Sequence, residues 1–473
     1  MNNAGGQTFE DSNLQSTSQS TVNALYWLGD DLRVADNAIF VDIALHAQQL
    51  MVVYCIDPSW FRQAQYQAEY VGKYRLRFLL ESLRALDETL NQYGQQVHIV
   101  YASAQKSLPY IIQAHNISRV YRSNHSGADE QTAWQVIQQQ CPNVEYSTIT
   151  TQTLFELHQL PFELADLAAT FSQFRKKVDN VNISPATDAV SWLPPMVALK
   201  QQDKQLQSWL AYPSWLPQTQ TMSNVFCGGE AQGKLQLDSY FSSNLAHNYK
   251  AVRNELDGWE CSTKFSPWLA NGCLSARQVV VALKQFELQQ GANESTKCIL
   301  YELLWREYFH FYAHKFNTLV FRFSGINGRK PLTSFYAQRI QAWKTATTPY
   351  PFVNALMKQL NDTGYMSNRG RQIVASCLVN ELQCDWRYGA AYFQQQLIDY
   401  DPAVNWGNWQ YLAGVGADPR GSRRFNLQKQ QQTYDPQGLF INAWLGREAL
   451  QQHDESHALY CIDSVDITDW PRS

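Results

Sequence analysis

Four short segments carry the residue types that could bind or transform a ligand. In CSTKFSPWLANGCLSARQV (261–279), Ser262, Thr263 and Ser266 surround Lys264 just before Pro267 and an apolar helix start, with Phe265 among them. Hydroxyls, a cation and main-chain N–H groups at a helix N-terminus suit a pyrophosphate, although an ordinary helix cap has the same composition. In YELLWREYFHFYAHKF (301–316), Glu302 and Arg306 are i,i+4 neighbours, with Trp305 and Phe309 on nearly the same face. That pattern is either a polar ligand edge flanked by rings or a surface salt bridge above a core stripe. GYMSNRGRQIVASCLVNEL (364–382) opens a helix with Asn368, Arg371 and Gln372 at i, i+3 and i+4, so with Arg369 one segment offers two guanidinium groups and two amides. Finally, LIDYDPAVNWGNWQYLAGVGADPR (397–420) places Asp399, Asp401, Asn405, Trp409 and Tyr411 within thirteen residues. Two carboxylates this close could form a metal site or a general acid/base pair. No His accompanies them and Arg371 is available as a partner, so ion pairing and hydrogen bonding to a ligand is the better reading, and no metal is expected.

The common nucleotide fingerprints are missing. YWLGDDLR follows the first strand-like run where G-x-G-x-x-G would stand, and the GVG of 414–416 meets Pro419 at the third-glycine position. A dinucleotide in the N-terminal part is therefore weakly supported.

These side chains need a scaffold, and the chain supplies two kinds. β-rich runs at 22–28, 50–56, 97–101, 118–122 and 144–149 alternate with helical stretches, such as the one where Phe78, Leu79, Leu83, Leu86 and Leu90 recur at helical spacing. Such alternation predicts an α/β domain over 21–155 with a doubly wound parallel sheet of about five strands. Proline-bearing SWLPPM and AYPSWLPQ fall in a long linker over 156–225. Helical patterns at 235–256, 275–289, 296–316, 351–362, 367–382 and 387–397 predict an all-α domain over 226–450. Residues 1–20 are polar and are expected to be a disordered tail, and 451–473 a C-terminal tail.

The chain has 473 residues, 38 Lys and Arg against 42 Asp and Glu, and a net charge of −4, so any nucleic-acid contact must come from a local patch. Aromatic residues reach 13%, and function should employ those rings. Nine cysteines without a C-x-x-C argue against a disulfide scaffold and for a reducing compartment, with a cytoplasmic location expected. No apolar run approaches the roughly 18 residues of a membrane span.

Behind an α/β domain and in this order, the four segments resemble the photolyase/cryptochrome flavoprotein family. NRGRQIV, DYDPAVNWGNWQYLAGVGADPR and KQQQTYDPQGLFINAWL (429–445) look most like its DASH-type cryptochromes. The resemblance implies a folded FAD in the helical domain. Tyr249, Ser262, Thr263, Lys264, Phe265 and Ser266 would line its pyrophosphate and ribityl side, while Arg306, Asn368, Arg371, Asp399, Asp401 and Asn405 would hold its rings. It also implies a cavity for a flipped pyrimidine dimer, walled by Trp305 and Tyr411, with Glu302 and Asn368 on the polar edge. Tyr411 and Gln372 stand where ordinary cyclobutane photolyases carry Trp and Met, a DASH-like choice associated with single-stranded DNA. Asn368 and Gln372 occupy the places of the two histidines of (6-4) photolyases, which disfavours that activity.

The implied activity is blue-light-driven repair of cyclobutane pyrimidine dimers. A blue-light receptor without repair is the alternative, and a flavin electron carrier acting in the dark a third. Arg369, Gln372, Arg423 and Arg424, with FRKK (174–177), would form a DNA-binding rim, and a monomer is expected. Trp409 and Trp386 match the inner and middle tryptophans that pass electrons to the flavin. The outer position is Thr333, and Trp343, the nearest tryptophan in sequence, is the candidate to replace it. Another departure is ATTPYP (346–351) for the family's G-K-T-G-Y-P, with Asn354 for the usual acid. Glu130, in YRSNHSGADEQ (121–131), matches the acid that contacts a 5,10-methenyltetrahydrofolate antenna, though His125 replaces a second Glu there.

Overall fold

The computed structural model describes residues 22–200, 202–216, 226–417 and 423–446. The tails expected at 1–20 and 451–473 lie outside the described residues.

Five runs rich in β-branched and aromatic residues pair as parallel strands: β1 (Asn23–Trp27), β2 (Gln49–Cys55), β3 (Val97–Val100), β4 (Arg119–Ser123) and β5 (Glu145–Ile149). Their order is β3-β2-β1-β4-β5, with Leu25 registered against Met51 on one side and Val120 on the other. The central strands are buried on both faces, so they read as continuous apolar runs. Alternate side chains serve opposite layers. Tyr26, Val52 and Tyr54 pack with the helices Ala38–His46 and Lys73–Asn91, while Leu25, Met51 and Val53 pack with Ala104–Ala114 and Ala128–Gln140.

The C-terminal part is helical. At its centre stands Glu294–Phe316, a helix started by Asn293, whose side chain accepts the Ser295 and Thr296 N–H groups. The helix expected over 235–256 is two, Glu230–Phe241 and Leu245–Val252. The Ser-Ser-Asn run between them competes for the backbone: the Ser243 hydroxyl donates to Tyr240 O (2.6 Å) and accepts from Leu245 N–H. Asn368–Ser376 runs into a π-helical turn at Cys377–Glu381, which ends the stretch expected over 367–382. Pro402–Ala413 was not among the expected helices, yet it has a legible start and stop. Asp401 caps it, Pro402 fits the first turn, and Gly414 closes it at φ 72°. Asn354, in place of an acid, accepts from Thr348 N–H and Oγ1 and donates to Thr348 O (2.7 Å), a donation that a carboxylate could not make. Among the described residues no helix is long and apolar enough to cross a membrane.

Buried charges lock the two parts together. Fully buried Arg33 donates to Gly272 O, Asp36 O and Thr151 O, at 2.6–2.9 Å. Gly272 sits at φ +69° with its missing Cβ only 2.0 Å from Asp30 O, so a side chain cannot enter there. Glu307, in the middle of the central helix, is fully buried and accepts the N–H groups of Leu154 and Phe155 (2.9 and 3.0 Å). Burial pushes its carboxyl up to about 7, despite those bonds and the nearby Arg306 and Arg277.

An acid with a raised folded pKa binds its proton more tightly in the native state. Its stabilising contribution is complete below the unfolded pKa and is lost as the pH rises toward 7. Relative to Glu307→Gln, the native protein should therefore lose on the order of 3 kcal/mol between about pH 4.5 and 7. Unfolding midpoints of both proteins across that window check this, and a stability difference that stays flat contradicts it.

Candidate functional site

A cleft in the helical part opens between the central helix, the 261–266 loop and the N-terminus of Asn368–Ser376. Tyr249, Ser262, Thr263, Lys264, Phe265, Ser266, Arg306, Asn368, Arg371, Asp399 and Asp401 all line it. The 261–266 loop enters with Lys264 at φ 57°, and the Lys264 ammonium lies 5.0 Å above the Tyr365 ring. Ser367 caps Asn368–Ser376 by accepting Gly370 N–H, which fixes Asn368 and Arg371 one turn apart at the mouth.

Asp399 is the hub of the cleft floor. One of its oxygens accepts from Arg371 Nη2 (2.8 Å) and from the Ser266 hydroxyl (2.6 Å). The other, Oδ1, is buried without a partner. An orphaned carboxylate oxygen in the wall of a cleft calls for a ligand donor, because leaving it bare costs about 1–3 kcal/mol. Burial alone would disfavour the Arg371 charge, but Asp399 holds its pKa above the usual arginine value. Asp401 caps the Pro402–Ala413 helix through Val404 N–H (3.0 Å) and accepts from His310 Nε2 (2.7 Å). Burial works against its ionisation, yet His310, Arg306 and the Val404 N–H hold its carboxyl well below the usual carboxylate range. Arg306 reaches across to Gln152 O (2.7 Å) and so ties the cleft to the α/β part.

A deeper extension is lined by Arg371, Gln372, Phe393, Asp399, Asn405 and Trp409. There the Asn405 amide donates to Ala390 O (3.0 Å). Trp409 is buried edge-on against Phe393 (5.1 Å between centroids) and Trp343 (6.2 Å). Gly389 lets the Trp386–Gln396 helix pass under Trp409, since a Cβ there would lie 2.2 Å from the indole.

A second mouth adjoins the first and shares Arg253, Glu302, Arg306 and Asn368 with it. Trp305 and Tyr411 form its walls, edge to face at 5.9 Å, and Gln372 and Arg423 line it too. Arg423 lies over the Tyr411 ring (4.4 Å). Two residues here escaped sequence reasoning. Arg253 forms an ion pair with Glu302, and its signal was the i,i+4 step from Tyr249. Phe171, from the connector helix Phe171–Val178, stacks on Trp305 at 3.9 Å and 13°. No local signal announces that contact, which joins residues far apart in sequence.

The structure corrects one expectation and shows what two of the expected rim arginines bond to. Trp343 is fully buried beside Trp409 and donates its indole N–H to Val374 O (2.9 Å), so it sits at the inner end and cannot serve as the outer ring. Arg369 points to Gln372 Oε1 (2.9 Å) and Asn254 Oδ1 (3.0 Å) rather than lining the second mouth. Arg424, on the surface, is paired with Glu381 (3.0 Å). Of the expected rim, Gln372 and Arg423 are the members that line the mouth.

Glu130 lines a third cavity, between the two parts, together with Tyr66, Tyr70, Tyr400 and Trp406. It accepts from the Tyr70 hydroxyl (2.9 Å). Burial opposes its charge, but His125 beside it keeps its pKa below the usual glutamate value. His125 bonds through Nε2 to the Asp30 carboxylate (2.8 Å).

Residues 24–191 match the family described as DNA photolyase, and residues 299–464 match the FAD binding domain of DNA photolyase. Cryptochrome DASH of Idiomarina loihiensis is 46% identical over 449 residues, covering 94% of this chain and 96% of that relative. Cryptochrome DASH of Vibrio parahaemolyticus is 48% identical, with the same coverage. The chain belongs to the photolyase/cryptochrome family, among the DASH cryptochromes. A crystal structure of the Synechocystis cryptochrome superimposes with a TM-score of 0.85 at 34% identity, covering 96% of this chain and 94% of that one. As in other photolyase/cryptochrome proteins, a five-stranded parallel sheet precedes a helical FAD-binding domain, and the orphaned Asp399 oxygen and the Arg371 cation lie in the wall of its cleft.

Proposed function

We propose that this DASH cryptochrome repairs cyclobutane pyrimidine dimers in single-stranded DNA under blue light. The supporting observation is the adjoining pair of mouths, one suited to FAD and one walled by Trp305 and Tyr411, with Glu302, Arg306 and Asn368 common to both. Bound and reduced, FAD supplies an electron donor that blue light excites. Ser262, Thr263, Lys264 and Ser266 offer hydroxyls and a cation to its phosphates, and Arg371 offers a positive charge that favours the reduced anion. Asp399 positions Arg371 and Ser266, while Asn405 offers an amide to the ring system.

A dimer must leave its base stack to reach the second mouth, at a cost of a few kcal/mol that is smallest in a single strand. Trp305, rigidly backed by Phe171, and Tyr411 offer flat faces, and stacking recovers about 1–3 kcal/mol per base. The Glu302 carboxyl, positioned by Arg253, is the group that hydrogen-bonds the pyrimidine edge, opposite the Asn368 amide. Trp409 and Trp386 would return the flavin to its reduced state. The third cavity, with Glu130, suits methenyltetrahydrofolate as an antenna. The eight described cysteines are all free, which suits a reducing compartment such as the cytoplasm.

The test is an incubation of the reduced protein with dimer-containing oligonucleotides, single- and double-stranded, in blue light and in darkness. Light-dependent loss of dimers, faster in the single strand, is expected. Normal flavin content without dimer loss would turn the reading toward a photoreceptor. Strand binding should also weaken with salt, and Arg423→Ala should reduce the slope of log affinity against log salt by about 0.7. An unchanged slope, measured by titration at several ionic strengths, contradicts a phosphate contact for Arg423.

A further inference from the structure

The outer position of the tryptophan relay is Thr333, held next to Trp386 by the Ser334–Cys384 bridge and the Asp385 N–H bond to Ser334 O (2.8 Å). Its hydroxyl is buried without a partner, and a threonine carries no one-electron chemistry at this potential. Trp386 is itself fully buried, so an oxidising equivalent that stopped there would have no exchange with solvent. Trp343 lies on the inner side, beside Trp409.

Another line of rings leaves Trp386. Its indole meets Trp406 edge to face at 5.8 Å between centroids. Trp406 is tilted against Tyr66 at 6.3 Å. Tyr66 is half-buried, belongs to the α/β domain, and lines the cavity between the domains. Its backbone is held at φ 62°, an uncommon conformation for an aromatic residue, and so its ring is placed by the fold rather than by local preference. Arg387 lies with its guanidinium 5.1 Å from the centre of the same ring. A cation at the ring face disfavours a positively charged radical, so oxidation of Tyr66 is accompanied by loss of its phenolic proton. The neutral radical that results does not readily pass its oxidising equivalent back inward.

We propose that Tyr66, reached through Trp406, is the terminal electron donor that replaces the missing outer tryptophan. One electron passes from Tyr66 through Trp406, Trp386 and Trp409 to the photoexcited, oxidised flavin. The Tyr66 hydroxyl releases its proton to solvent in the inter-domain cavity, which leaves a neutral tyrosyl radical. A small external thiol restores the phenol by giving it one hydrogen atom, and two thiyl radicals so formed couple to a disulfide. The proposal rests on Trp409 and Trp386 being the inner relay.

The test uses the FAD-loaded protein carrying ring-deuterated tyrosine, illuminated without thiol and frozen for electron paramagnetic resonance. A tyrosyl radical with deuterium-narrowed lines is expected in the native protein, and its loss in both Tyr66→Phe and Trp406→Phe. Flavin absorbance and the unfolding midpoint of each variant show that it has folded. A native spectrum without a tyrosyl radical overturns the proposal, and so does a full tyrosyl signal in Tyr66→Phe, which would place the radical on another tyrosine. Trp409→Phe separates the two levels. If it retains photoreduction, the inner relay itself is wrong; if it loses photoreduction while Tyr66→Phe keeps the tyrosyl signal, only the terminal assignment fails.

Discussion

Trp409→Phe abolishes light-driven reduction of the bound flavin while leaving the flavin in place. The indole lies in the wall of the deeper cleft with Arg371 and Asn405, and the Trp386–Gln396 helix passes close beneath it over Gly389. Phenylalanine fills much of the same volume between Phe393 and Trp343, so the fold should survive with a cost of roughly 1–3 kcal/mol. A phenyl ring, however, is far harder to oxidise than an indole, so the first step of the relay fails. Absorption spectra recorded under steady blue light with an external thiol read the result directly. A photoreduction rate equal to that of the native protein removes Trp409 from the route.

Asp399→Ala yields a protein that has lost its flavin and a substantial part of its stability. Asp399 offsets the burial of the Arg371 charge, and it fixes the Ser266 hydroxyl at the cleft floor. Removing one member of a buried pair leaves the other uncompensated, at a typical cost of 3–5 kcal/mol. The guanidinium is not wholly enclosed, with its side chain 23% exposed, and it keeps a bond to Met366 O (2.8 Å), so a loss of about 2–3 kcal/mol is expected here. Flavin absorbance per protein after reconstitution, together with the thermal midpoint, checks both halves. Native flavin content in this variant would show that the Arg371–Asp399 pair does not form the flavin site.

Much of this architecture is legible in the sequence for a physical reason. The central parallel strands are buried on both faces, so their apolar runs stand out, and each expected run lies within two residues of the observed strand. Most residues lining the cleft fall in four segments because one loop, two helix starts and one face of the central helix deliver them, and local spacing records such geometry. What stayed hidden depends on packing between distant segments. Phe171 backs Trp305 from a connector with no regular pattern, and Arg253 reaches Glu302 from a neighbouring helix. Trp343, the tryptophan nearest in sequence to Thr333, folds inward because its helix, Ala337–Lys344, packs into the core against Val374 and Phe393. Arg369 bonds to Asn254 and Gln372 and Arg424 pairs with Glu381, contacts that local spacing does not record.

Fluorescence of the reduced flavin, titrated with a short single strand carrying one cyclobutane dimer and with the same strand undamaged, probes the adjacency of the two mouths. Strong quenching by the damaged strand alone is the expected result, because a lesion seated between Trp305, Tyr411 and Glu302 is close enough to take the excited electron. Emission that saturating damaged and undamaged strands leave equally bright would contradict it.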